Sequence, residues 1–205
     1  MDALRSAWEF ILAGGPVMWP LMALSLWLWA LVLYKFLWLA RVRRERLEPG
    51  QALEDLLRRR PPEVLGPRSA ALAHFLGEPY HAPKADVRLW EAAVRRQGPR
   101  LWRHVDTILM LAAVAPLLGL LGTVSGMIDT FAVIGEYGTG NAQAMAGGIR
   151  EALITTETGL LVAIPGLFAG YVLRRQARKL QQGLLSFAAA VHSWLRSRQE
   201  AACSS

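Results

Sequence analysis

Cysteine is nearly absent, since Cys203 is the only one in 205 residues. One thiol excludes an intrachain disulfide framework and a cysteine-built metal centre. Histidine is also scarce: His74, His81, His104 and His192 all lie outside the long apolar runs. Ser125 therefore has no nearby imidazole base, which argues against an intramembrane Ser–His hydrolase. No HExxH pair occurs, and no Lys-Ser or Lys-Thr pair follows the glycines from Gly119 to Gly126, so a phosphate loop is excluded. No catalytic residue, cofactor or metal site is expected. Acidic residues are outnumbered, with 16 Asp and Glu against 23 Lys and Arg, for a net charge of +7. The basic excess clusters beside apolar runs without any nucleic-acid recognition motif, so nucleic acid is not an expected partner. The first fifteen residues lack a basic leader and a small-x-small cleavage site, so no cleavable signal peptide is expected.

Apolar character is what the chain has in abundance. Hydrophobic residues make up 53% of it, and its mean hydropathy is +0.25. Joined to an isoelectric point near 10.3, this fits a membrane protein with basic flanks better than a soluble globule. Residues 1–16 read as an amphipathic lead, with Leu4, Trp8, Ile11 and Leu12 at helical spacing. Residues 17–40 form the first expected span, with Pro20 in its first turn and Lys35 near its end, where a lysine can snorkel. Trp19, Trp27, Trp29 and Trp38 mark this span as lipid-facing.

The cluster Arg41-Val-Arg-Arg-Glu-Arg follows at once, which puts this end in the cytoplasm and the N-terminus outside. Residues 41–107 read as a basic cytoplasmic region of short helices, broken at Pro49-Gly50, Pro61-Pro62, Gly77-Glu-Pro79, Pro83 and Gly98-Pro99. One helix is expected over Asp86–Gln97, capped by Asp86, with Val87, Trp90, Ala93 and Val94 on one face. Residues 108–134 form the second span and 135–148 an external loop. Residues 149–173 form the third span, returning to the basic cluster Arg174-Arg175-Gln-Ala-Arg178-Lys179. Residues 174–205 continue as a cytoplasmic amphipathic helix and tail, with Leu180, Leu184, Phe187, Val191 and Leu195 near a 3.6 period. The fold class is all-α: three transmembrane helices, N-out and C-in, with long cytoplasmic helical extensions.

The second and third spans carry the chemistry. Small residues recur every three or four positions: Ala112, Ala115, Gly119, Gly122 and Gly126 in one, then Gly148, Ala152, Thr155, Gly159, Ala163, Gly166 and Gly170 in the other. Such stripes let helix backbones approach closely in lipid. Pro116 and Pro165 lie inside the spans, as hinges or as static kinks. Polar groups sit at membrane depth: Thr123, Ser125 and Asp129 in the second span, and Glu151, Thr155, Thr156, Glu157 and Thr158 in the third. The hydroxyls of Thr123 and Thr156 either support a water wire or bond back to their own helix. Glu151 is a mouth carboxylate or a simple interfacial one. Asp129 is expected at the depth of Arg150 and paired with it. Glu157 must be protonated, paired or facing water.

The string Ala115-Pro-Leu-Leu-Gly-Leu-Leu-Gly-Thr-Val-Ser-Gly-Met127 closely resembles the second-span signature of the ExbB, TolQ and MotA proton-channel family. Gly148-Ile-Arg-Glu-Ala-Leu-Ile-Thr-Thr156, then Gly159 and Ala163-Ile-Pro165, resembles that of the third. Three spans rather than four make the ExbB branch the best match, in a compact subtype. The resemblance implies a multi-pass subunit of the Gram-negative inner membrane that assembles as a ring, a pentamer in this family. Its pore holds single-span helices of an ExbD-like partner, which supplies the proton-carrying aspartate. The work reaches a TonB-like protein and energises outer-membrane transport. On this pattern Thr123, Glu151 and Thr156 fall on proton-pathway positions. Ser125, Asp129, Thr155 and Glu157 are additional polar pore or packing candidates, and Asp129 and Glu157 depart from the longer ExbB pattern. Pro116, Gly119, Gly122, Gly126, Gly159 and Pro165 are hinge or packing positions. A TolQ-like role in envelope integrity and a non-conducting membrane scaffold are the alternatives.

Overall fold

A computed structural model describes residues 2–43, Glu54, Arg58, 66–77, 83–138 and 142–203. Among them six α-helices follow one another: α1 Asp2–Ala13, α2 Met18–Val42, α3 Pro67–Leu76, α4 Pro83–Trp102, α5 Val105–Tyr137 and α6 Ala142–Cys203. Three helical stretches, in α2, α5 and α6, are long and apolar enough to cross a membrane. At 1.5 Å per residue, α5 measures about 50 Å and α6 about 93 Å, each well beyond a ~30 Å hydrocarbon core. The breaks expected at Pro49-Gly50 and Pro61-Pro62 lie outside the described residues. So does the side chain of Asp86, the expected cap. Residues 142–148, read from sequence as loop, are already helical in α6.

The chain divides into two compact units. The first comprises residues 1–33 and 104–171. Its centre is the antiparallel α5–α6 pair, built on the small-residue stripes. Ala112, Ala115, Gly119, Gly122 and Gly126 of α5 are all buried, as are Ala152, Thr155 and Ala163 of α6. A Cβ placed at Gly119 would lie 3.0 Å from the carbonyl oxygen of Thr155, and one at Gly159 would lie 2.8 Å from that of Ala115. Gly126 and Gly148 likewise face each other's carbonyls. Side chains of any size at these positions would force the backbones apart. Further along, Gly166 admits Leu28 of α2 and Ala112 of α5. The lipid-facing role expected for the first span's tryptophans fits Trp19, Trp27 and Trp29, which are exposed, but not Trp38, which is half-buried and packs against the core of the second unit. Large apolar side chains such as Leu117, Leu121, Leu161 and Phe168 also point outward. Pro116 and Pro165 lie within unbroken helix.

The second unit comprises residues 34–103 and 172–205. Gly66 precedes α3 in an extended conformation, and Pro67 opens the helix where a missing N–H costs nothing. The Gly66 N–H donates to Ser69 Oγ at 3.1 Å. The α3 helix stops at Gly77, whose N–H donates to the carbonyl of Ala73 at 3.0 Å. Its face carries Ala71, Leu72 and Phe75 into a core shared with Trp90, Ala93, Val94 and Leu101 of α4 and with Leu184, Phe187, Val191 and Leu195 of α6. The amphipathic period read in the tail is therefore the face α6 presents to this core. Trp90 anchors it. The Trp90 ring meets Phe75 edge-on at 5.8 Å and Phe187 at 6.1 Å, while its Nε1 donates to the carbonyl of Ala188 at 3.1 Å.

Two expectations are corrected here. The helix does not break at Gly98-Pro99: α4 runs through both, and the chain turns at Arg103-His104 instead, where His104 takes a left-handed conformation with φ 69°. Pro99 is exposed, so the carbonyl it leaves without a helical donor can reach water. Lys35 does not snorkel either. It is 2% exposed, lies 4.3 Å from the centre of the Trp38 ring, and donates to the carbonyl of Arg100 at 3.3 Å. A lysine at the C-terminal end of α4 meets carbonyls that carry partial negative charge.

Gly159→Leu is expected to destabilise the α5–α6 pair by roughly 1–3 kcal/mol, the usual cost of overpacking. The thermal midpoint of the purified chain in detergent checks this. Gly135→Ala, with open space around its Cβ position, is expected to leave that midpoint unchanged or raise it.

Candidate functional site

The polar residues of the first unit sort by what their hydroxyls and carboxylates touch. Thr156, half-buried on α6, donates to the carbonyl of Ala152 in its own helix at 3.1 Å and to that of Gly119 on α5 at 3.3 Å. It is the hydroxyl that bridges the two helices, at the level where Gly119 and Gly159 close the gap. Thr123, half-buried on α5, donates to Leu120 of its own helix at 2.6 Å. Both lone pairs of its oxygen remain available to accept from other donors.

Thr155 is fully buried. Its hydroxyl donates to the carbonyls of Glu151 and Ala152, both at 3.0 Å, and its side chain fills the space opposite Gly122. Thr155 thus bonds back to its own helix and lies against α5. Ser125 is half-buried. Thr130 was absent from the sequence candidates. It is 4% exposed, donates to the carbonyl of Gly126 at 2.8 Å, and lies against Gly148. Its spacing of four from Gly126 continues the small-residue stripe, which was the available signal.

The carboxylates separate. Asp129 and Glu157 are exposed. The Asp129–Arg150 pair expected from sequence does not form. Both side chains are exposed on their helices and no ion pair joins them. The Glu151 carboxylate is tucked inward. Its Oε1 is buried with no hydrogen-bond partner among the described residues. The carboxylate packs on Gly15, in the turn between α1 and α2, where φ is +66° and a Cβ would collide with Oε1. Neighbouring Gly14 packs against Met18 and Ile154. Sequence reasoning missed this turn, although Gly14-Gly15-Pro16 is a visible turn signal. Among the described residues no three His, Cys, Asp or Glu side chains gather to hold a metal ion.

The α5–α6 pair is thus a close-packed hairpin with a hydroxyl bridge in its body and a sheltered carboxylate toward the Gly15 end. Comparison with known proteins places this arrangement. Residues 68–184 match the model of the MotA/TolQ/ExbB proton channel family. The chain belongs to that family. The matched stretch contains every polar candidate on α5 and α6. A putative biopolymer transport protein, ExbB-like 1, of Synechocystis sp. is 36% identical over 202 residues, covering 90% of this chain and 75% of that protein. The biopolymer transport protein ExbB of Xanthomonas campestris pv. campestris is 38% identical over 94 residues, 46% of this chain and 37% of its own. The Tol-Pal system protein TolQ of Haemophilus influenzae is 33% identical over 104 residues, 51% of this chain and 46% of its own. This is therefore an all-α membrane protein of a proton-channel family, similar to ExbB and TolQ proteins.

The shelter over Glu151 is testable by itself. Gly15→Ala adds a methyl where the carboxylate lies and strains a positive φ, at a cost of about 1 kcal/mol. The variant is expected to push Glu151 outward and raise its rate of carbodiimide labelling severalfold over wild type, read by peptide mass mapping. An unchanged rate would contradict the contact.

Proposed function

We propose that this chain is an ExbB-like proton-channel subunit of an inner-membrane motor. With an ExbD-like single-span partner, it uses the proton motive force to energise TonB-dependent outer-membrane transport. The basic clusters at Arg41–Arg46 and Arg174–Lys179 support an N-out, C-in orientation. The outward apolar faces of α5 and α6 support assembly with further copies, a pentameric ring on the family pattern. The single observation that carries the reading is the Thr156 hydroxyl, set between α6 and the Gly119 carbonyl of α5.

In this reading the wall of the pore is apolar except for a few groups that both accept and donate. Thr123 and Thr156 hold water by their hydroxyls and so pass protons along it. Glu151 takes part near the outer mouth, where its carboxylate is one of few at membrane depth. The partner's aspartate carries the proton across, because the hydroxyls of this chain relay protons without storing them. Ser125, Asp129 and Glu157 contribute polarity beside the path, and Thr155 contributes packing. Pro116 and Pro165 lack the backbone N–H that would tie one turn to the next, so they are where the helices yield as the partner moves.

Thr156→Ala and Glu151→Ala, made separately, are each expected to lower energy-dependent uptake at least about tenfold, the scale of losing a positioned proton-transfer group. Membrane assembly is followed in parallel and is expected to persist. Assembled complexes with full uptake in both variants would contradict the site. The Haemophilus relative keeps a TolQ-like role in view, and copurification separates the two: recovery of a TonB-like protein supports this reading, and recovery of a TolA-like one overturns it.

A further inference from the structure

Glu151 and Thr156 do not share a face of α6. Five residues separate them, which is about 140° around a helix of 3.6 residues per turn. Thr156 lies toward α5, where it donates to the Gly119 carbonyl. Glu151 lies on the side of Ile154, three residues on, and both pack against the turn that joins α1 to α2. A Cβ at Gly14 would come within 3.3 Å of the Ile154 side chain, and one at Gly15 would collide with the Glu151 carboxylate. Met18, fully buried, closes the turn from α2, and its N–H donates to the Gly15 carbonyl at 3.2 Å. One further contact ties α1 down: the Trp8 ring meets Trp19 of α2 edge-on at 6.1 Å.

Two opposed tendencies meet in this turn. Burial of Met18 and Ile154 and the tryptophan pair hold it shut. Against them, Glu151 Oε1 is buried with no hydrogen-bond partner among the described residues, and a carboxyl oxygen in that state gains by reaching water. Gly14 and Gly15, adjacent and without side chains, let the backbone swivel between the helices. We propose that the α1–α2 turn is a clasp that withdraws Glu151 from the proton path, and that α1 must lift for the carboxylate to serve it. This clasp rests on the channel reading for what Glu151 does once released, and on the turn alone for what holds it. With the clasp open, external water reaches the carboxylate, and Glu151 exchanges protons with the outer side.

Gly14→Cys with Ile154→Cys, in a Cys203→Ser background, sets two thiols across the clasp within reach of disulfide geometry. The variant is reconstituted in proteoliposomes with the single-span partner, and the cross-link is confirmed by peptide mass mapping. Oxidation is expected to lower proton flux at least about tenfold, and reductant to restore it, while each single-cysteine variant responds to neither reagent. Full flux through the oxidised, cross-linked complex would overturn the proposal. Carbodiimide labelling of Glu151 in the full chain without the partner reads the clasp by itself. The rate is expected to fall severalfold on cross-linking and to rise roughly threefold in Trp8→Ala, with Trp8→Phe near wild type. An unchanged rate in Trp8→Ala would overturn the clasp whatever the flux. Full flux in Glu151→Ala beside these labelling shifts would contradict the proton role of Glu151 while supporting the clasp.

Discussion

Backbone contact between α5 and α6 is the constraint on which the first unit depends. In lipid, apolar side chains gain nothing by leaving solvent for protein, so helices associate by close van der Waals fit and by hydrogen bonds across the interface. Gly119 and Gly159 supply the fit, each with a facing carbonyl at a distance that leaves no room for a methyl. Thr156 supplies the hydrogen bond to the Gly119 carbonyl at the same level. Glycine lowers helix propensity, and threonine is no better than neutral. Both are tolerated in α5 and α6 because the membrane itself stabilises helix by denying the backbone any other partner.

The same constraint sets the chemistry. A pair of helices pressed together along small residues turns its large side chains outward, and Leu117, Leu121, Leu161 and Phe168 do so. What remains between and beside the stripes is a short set of hydroxyls and one sheltered carboxylate. The second unit is held by a different force. There Trp90 and its neighbours bury apolar surface from water in the ordinary way, and α3, α4 and the far half of α6 form a soluble-type core. A single helix, α6, thus carries two kinds of face in succession. Glycine, alanine and threonine serve up to Gly170, and leucine, phenylalanine and valine serve from Leu184 onward.

Much of this was legible in the sequence, and the reason is period. The stripes of small residues, the three long apolar runs and the amphipathic tail each repeat at helical spacing, so their faces could be assigned before any contact was known. The family resemblance rested on the same stretch that the family match covers. What the sequence hid depended on single long-range contacts. Lys35 at a helix end reads as a snorkelling cation, because nothing local reveals that the Arg100 carbonyl comes to meet it. Asp129 and Arg150 have complementary charge and suitable depth, yet both side chains are exposed and no ion pair joins them. The contact of Glu151 with Gly15 joins residues far apart in the chain, and only the turn signal at Gly14-Gly15-Pro16 hinted at it. Gly98-Pro99 looks like a helix stop, but burial of Trp90, Val94 and Leu101 keeps α4 helical through it.

The central claim is that the hydroxyl bridging α5 and α6 belongs to a proton path and does more than pack two helices. Proton flux into proteoliposomes that contain this chain together with its single-span partner tests this most directly. Thr156→Val is compared with Thr158→Val, whose hydroxyl donates only to Ile154 of its own helix at 2.8 Å. The account predicts that flux falls at least about tenfold in Thr156→Val and stays near wild type in Thr158→Val, with the complex intact in both. Equal flux in the two variants would contradict it.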